Sequence, residues 1–236
     1  MAKKLLLLTI TILLLLGCDS TVASNGNNAN SANLPPIYEI PNYIIIDGEQ
    51  FNTELTELDL RHLHLTSKEL LLLRYMIKVE RLSLTVERDS DLTPLINLPN
   101  LLSLNLTSTP NDITPLSKLV NLESLIWEFC WTDDLTPLSE LVNLRVLVLE
   151  IHEVSDLTPL SNLTNLENLT LVGHQIKDLS PLSDLINLTS LSVMSYELTD
   201  ITPLKYLTNL TQITIFAHQV QDWSPVAHVE NAVVGP

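Results

Sequence analysis

The sequence predicts an α/β solenoid, in which short strands and short turns stack unit upon unit. Three observations predict it. The tetrad Asp-Leu-Thr-Pro and its near variants begin at Asp91, Asp112, Asp134, Asp156, Asp178, Asp200 and Asp222, 22 residues apart except for one interval of 21. Leucines keep an L-x-x-L-x-L spacing within the units, as at Leu101, Leu104 and Leu106, at Leu144, Leu147 and Leu149, and at Leu166, Leu169 and Leu171. An asparagine recurs at one phase before each strand, at Asn100, Asn121, Asn143, Asn165, Asn187, Asn209 and Asn231. A fixed period of this length marks a repeat array, whose units bury a continuous core only by stacking. Hydrophobic residues reach 45% while aromatics are 5%, so leucine at a repeated position must fill that core.

Each unit reads in the same order. An x-L-x-L-x stretch alternates with period two and predicts a short strand with one buried face. In Asp156-Leu157-Thr158-Pro159-Leu160 the chain turns. Thr158 is suited to cap a short helical turn, and Pro159 fits its first position, where no N–H is needed. Leu157, Leu160 and Leu163 return to the core over too few residues for a long helix, which predicts a 3₁₀ turn. The aspartate and asparagine ladders fall at the two bends, where polar side chains satisfy backbone groups.

Outside the array the chain changes character. Lys3 and Lys4 precede an apolar run from Leu5 to Leu16, followed by Gly17 and Cys18. The run is too short for a bilayer, which takes ~20 residues, and fits the core of an export signal. Residues 19–36 are rich in Asn, Ser and Ala and close on Pro35-Pro36, which predicts a flexible tether. Residues 37–67 read as an N-terminal cap, with a strand at Tyr43–Ile46, a turn at Asp47-Gly48 and an irregular first repeat strand from Leu55 to Leu60. Residues 68–221 hold the repeats, the first degenerate but with Leu82 and Leu84 in phase, and 222–236 read as a truncated last repeat serving as C-terminal cap.

Two resemblances follow from these residues. Leu15-Leu16-Gly17-Cys18 resembles the lipobox of bacterial lipoproteins. It implies that Cys18 is acylated, that residues 1–18 are the signal, and that the chain is lipid-anchored in the cell envelope, outside the cytoplasm. The D-(L/I)-(T/S)-P-L units from about Lys68 to Pro236 resemble the internalin-like leucine-rich repeats. That family implies a horseshoe with a concave parallel β-sheet, short turns on the convex side, and a protein ligand on the concave face. One phase departs from the family: its asparagine, three residues after the last strand leucine, is replaced by Cys130, His152, His174, Tyr196 and His218.

Candidate chemistry is sparse. His152 and His174 share a phase and should lie about one strand spacing (~4.8 Å) apart, close enough to share a metal if other ligands joined them. Tyr196 separates His218 from them and no carboxylate shares the phase, so the expected role is hydrogen bonding at the turns, with no metal and no cofactor. Cys130 has no disulfide partner once Cys18 is acylated and reads as a small buried hydrophobe. No phosphate loop, nucleophile elbow or zinc-protease motif appears, so no catalytic residue is assigned. A net charge of −16 excludes nucleic acid as a partner.

What remains is a surface. Strand positions between the buried leucines include Ile126, Glu128, Val146, Val148, Glu150, Val172, Met194 and Phe216. They predict a largely apolar strip edged by two carboxylates, with Phe129 and Ile151 beside it where the strands end. An exposed apolar strip commonly marks an interaction site. The expectation is a monomeric, membrane-anchored scaffold for a protein or peptide ligand. The alternative, a polysaccharide- or peptidoglycan-recognition module, calls for aromatic platforms. The aromatics near the strands are Trp127, Phe129, Trp131 and Phe216, and Trp127 holds a core phase.

Overall fold

The computed structural model describes residues 40–107 and 110–235. Cys18, the signal segment and the tether lie outside the described residues.

The description opens on an antiparallel hairpin of β1 (Tyr43–Ile46) and β2 (Glu49–Asn52). Asp47 and Gly48 both take positive φ, 46° and 82°, the conformation of a type I′ turn, in which aspartate and glycine are favoured. Thr53 ties down the base of the hairpin. Its N–H donates to Asn42 O at 3.1 Å and its hydroxyl donates to Pro41 O at 2.5 Å. Ile44 and Ile46 are buried and join the main core.

Among the described residues, nine further strands form one sheet in unbroken chain order. They are β3 (Glu57–Leu65), β4 (Arg81–Val86), β5 (Ser103–Thr107), β6 (Ser124–Cys130), β7 (Val146–Ile151), β8 (Asn168–Val172), β9 (Ser190–Met194), β10 (Gln212–Phe216) and β11 (Asn231–Gly235). Each pairs in parallel with the next. Parallel neighbours need a crossover, and the repeat supplies one per unit. The first of these strands starts two residues later than the sequence implies: Leu55 is exposed, and burial begins at Leu58. After it, α1 (Ser67–Leu70) runs into a 3₁₀ turn at Leu71–Tyr75. The Glu69 carboxylate accepts the Thr66 N–H at 2.7 Å and stabilises the start of α1.

The remaining crossovers are 3₁₀ turns with proline in their first positions, such as Thr136–Glu140 and Thr158–Leu160. Their cap differs from the expectation. Thr158 is the first residue of its turn, and the Asp156 carboxylate accepts the Thr158 N–H at 2.8 Å. The same bond recurs from Asp91 to Thr93 through Asp222 to Ser224, at 2.7–2.9 Å. This is an Asx turn, in which an aspartate side chain accepts the N–H two residues on.

The asparagines work at the other bend. Asn100, Asn143, Asn165, Asn187 and Asn209 donate side-chain N–H groups to Ile77, Val120, Val142, Thr164 and Ile186 carbonyls of the preceding unit, at 2.8–2.9 Å. Asn231 leaves the ladder. It opens β11 and lies opposite Gln212, so the last unit enters its strand early. The segment expected as a truncated last repeat and cap adds the strand Asn231–Gly235 to the sheet. Inside, the repeated leucines form one continuous core, with Trp127 fully buried at a leucine position.

Candidate functional site: the sheet face and its ring-bearing edge

The side chains alternating with the buried leucines form three rows across the sheet. Ile126, Val148, Thr170, Ser192 and Thr214 align in the middle row. Val146 lies in the row before it, opposite Ser124 and Asn168. Glu150, Val172, Met194 and Phe216 align in the row nearest the strand ends. The apolar surface therefore runs diagonally, from Ile126, Val146 and Val148 on β6 and β7 to Val172, Met194 and Phe216 on β8 to β10. All but Phe216 are half-buried by their neighbours; Phe216 is exposed.

The two carboxylates expected on this face hold structure as well as charge. In β6 a bulge sets Glu128 and Phe129 against one residue of β7: Trp127 pairs with Leu149, but Cys130 pairs with Ile151. Phe129 takes a φ of 56°, and its N–H donates to Glu150 Oε2 at 3.2 Å. An extra strand residue leaves the ladder unpaired locally, and Glu150 supplies the missing acceptor. Glu128 accepts the Thr107 hydroxyl at 3.4 Å. At the β3 end the face is charged, with Arg61 on Asp59 at 2.7 Å and Arg81 on Glu57 at 3.0 Å. The Arg61 guanidinium holds the Asp59 carboxyl down at about 2.

The bulge also moves the next residues of β6 by one place, which sets Cys130 level with Ile151. Ile151, expected beside the apolar strip, follows the regular alternation of β7 and is buried in the core, on the side of Leu147 and Leu149. So are Cys130, Gly173, Ser195 and Ala217 in the same column. Burial pushes the Cys130 thiol up to about 12, so it stays protonated and inert as a nucleophile at neutral pH. Ser195 donates to Ile176 O at 2.7 Å. Gly173 has no room for a side chain: a Cβ there would lie 2.6 Å from Ile151 Cγ1 and 2.8 Å from Ile151 O.

Beyond that column stands a ladder of rings. Trp131 stacks on His152 with centroids 4.3 Å apart, and His174 stacks on Tyr196 at 4.6 Å. His152 and His174 are wider apart, at 6.4 Å and 57°, as are Tyr196 and His218, at 5.5 Å and 39°. Trp131 and Tyr196 are 55% and 49% exposed. The histidines were expected to bond the turns; instead His152 and His174 stack on Trp131 and Tyr196, and His218 lies tilted against Tyr196. Gln175 and Gln219 donate to the His152 and Tyr196 carbonyls, at 3.4 and 2.8 Å. Among the described residues, no group of three or more His, Cys, Asp or Glu could hold a metal ion.

A concavity lies at the opposite edge of the sheet. It is a groove of about 870 Å³ along the asparagine ladder, with Glu123, Arg145 and Glu167 in its wall. The Arg145 and Glu167 side chains pair with each other there.

The sequence matches no protein-family profile and no curated protein. Among solved structures it is similar to internalin C2 of Listeria monocytogenes, with 27% identity, a TM-score of 0.64, and coverage of 79% of this chain and 84% of that one. This chain is a leucine-rich-repeat solenoid. A second internalin of Listeria monocytogenes, InlF, is similar at 26% identity and a TM-score of 0.60; the likeness covers 80% of this chain and 64% of that longer one.

The leucine-rich-repeat phase places His152, His174, Tyr196 and His218 together and explains why Trp131 escapes a sequence reading. Counting by 22 sets Cys130 level with His152, and the Asp134-to-Asp156 interval is an unbroken 22. The bulge adds a residue before Cys130 and the following turn loses one before Asp134. Trp131 thereby moves into the ring row unseen. The available signal is the column of buried residues: Cys130 and Ile151 are both apolar, and Gly173, Ser195 and Ala217 are all small.

Proposed function

We propose that this chain is a lipid-anchored envelope scaffold that binds a protein or peptide on the solvent face of its leucine-rich-repeat sheet. The observation that carries this reading is the diagonal apolar surface from Ile126 to Phe216, held by a rigid parallel sheet. Contiguous apolar side chains on a regular scaffold suit a partner that brings its own apolar anchors. The similarity to internalins supports a binding scaffold of this architecture. Anchoring rests on the lipobox resemblance at Cys18. Among the described residues, no helix is long and apolar enough to cross a membrane.

The test is capture from solubilised envelope by the wild type and by a Val148→Asp, Val172→Asp, Met194→Asp variant. These side chains point away from the core, so the variant should melt like the wild type. A partner retained by the wild type and lost by the folded variant supports the reading. Capture that survives moves the site off this face. In the same cells, palmitate label should enter the wild type and be absent from Cys18→Ala.

A further inference from the structure

We infer that the ring ladder Trp131–His152–His174–Tyr196–His218 is a docking track for an extended proline-rich peptide with a basic flank. The track lies beside the sheet face and does not depend on the function proposed for that face.

Its geometry is periodic in a particular way. Rungs on adjacent strands repeat at the strand spacing, ~4.8 Å. Tight stacks alternate with wide, splayed gaps: 4.3, 6.4, 4.6 and 5.5 Å in chain order. The gaps, between His152 and His174 and between Tyr196 and His218, therefore recur every second rung, or about 10 Å. At those gaps the rings are tilted against each other by 57° and 39°, and His174, Tyr196 and His218 are exposed.

An extended ligand must match that interval. A polyproline II helix advances ~3.1 Å per residue with three residues per turn, so every third side chain recurs at about 9.3 Å. Residues i and i+3 would meet successive gaps. A β-strand ligand shows one face every second residue, about 6.7 Å, and falls out of step with the gaps. Aromatic-lined surfaces are the usual receptors of polyproline II segments.

The chemistry fits too. Proline offers no N–H, and its extended backbone leaves carbonyl oxygens free to accept. The ladder presents donors: the Trp131 indole N–H, the Tyr196 hydroxyl and the imidazole N–H groups. Asp133 stands exposed two residues after Trp131, and Glu153 directly after His152. Lys177 is engaged by Glu197 at 2.8 Å. The Trp131 end is therefore acidic, and it sits on a chain with a net charge of −16. A basic residue flanking the prolines belongs at that end.

The experiment titrates the full-length protein, in detergent, with an arginine-flanked polyproline peptide of about ten residues, followed by calorimetry. Saturable binding of one peptide per chain is expected. Binding should weaken about tenfold or more in Trp131→Ala and in Tyr196→Ala, and stay unchanged in Tyr206→Ala, an exposed ring off the track. It should also survive the sheet-face variant, which separates this proposal from the previous one. A peptide of the same length with glycine and serine in place of proline should not bind. The melting temperature of each variant reports folding, and the two ladder variants serve as independent checks. The proposal is overturned if the polyproline peptide does not saturate the protein, or if both ladder variants bind it like the wild type. It is equally overturned if peptidoglycan glycan strands bind in a Trp131-dependent way and the peptide does not.

Discussion

Gly173 shows how one residue can be forced by its neighbour on the next strand. Nothing about its backbone angle demands glycine; the space does. An added methyl group meets both the side chain and the carbonyl oxygen of Ile151, at 2.6 and 2.8 Å. Gly173→Ala should therefore destabilise the protein by about 1–3 kcal/mol, the usual cost of overpacking, read as a lower denaturant midpoint. In an Ile151→Ala background the same substitution should cost less but still cost something, because the carbonyl half of the clash remains. No cost in that background would mean that the side chain alone sets the limit. The repeated leucines are legible at this scale, because their spacing is their burial pattern. Gly173 and Ser195 are not, since their reason lies one strand away: a bulky Ile151 in one case, the Ile176 carbonyl in the other.

The turns and the bulge are the elements that give the sheet its order. Each proline-bearing turn is closed by an aspartate accepting an N–H two residues on. The Thr136, Thr158 and Thr202 hydroxyls, and then the N–H groups of the same residues, hold the Asp134, Asp156 and Asp200 carboxyls below their ordinary values, and the Ser224 N–H and then its hydroxyl do the same for Asp222. A carboxyl held lower in the folded state than in the unfolded one adds stability above the unfolded value, about 3.9 for aspartate. That stability is lost as pH falls through the folded value. Melting temperature should thus fall below about pH 4, and the slope should flatten in a variant carrying Asp134→Asn, Asp156→Asn and Asp200→Asn. An unchanged slope would assign the acid loss to other groups. The position of these turns is plain in the sequence because proline and aspartate mark them every 22 residues. The bulge is hidden because the residue gained at Phe129 is given back before Asp134, so the count of the repeat never records it.

Among the described residues the sheet has two unlike outer strands, β3 and β11. At the β3 end, Ile44 and Ile46 of the hairpin pack into the core and close it. At the β11 end, Val233 and Val234 are 57% and 38% exposed, and no strand beyond β11 pairs with it among the described residues. In a stacked repeat each unit is held only by its neighbours, so opening starts where one neighbour is missing. Hydrogen exchange should therefore be fastest in β11, slower in β10, and slowest in β6 to β8. Uniform exchange across the sheet would show that the stack opens as one. The architecture was legible from the period alone; the ends were not, since a cap is the place where the period stops. The same neighbour-only bonding makes length a countable quantity. Duplicating the 22 residues from Asp156 to Lys177 in tandem would lengthen the sheet by one strand and the row of rings by one histidine. The ring row would thus act as a ruler, graduated in whole repeats, against which the span of a ligand could be read.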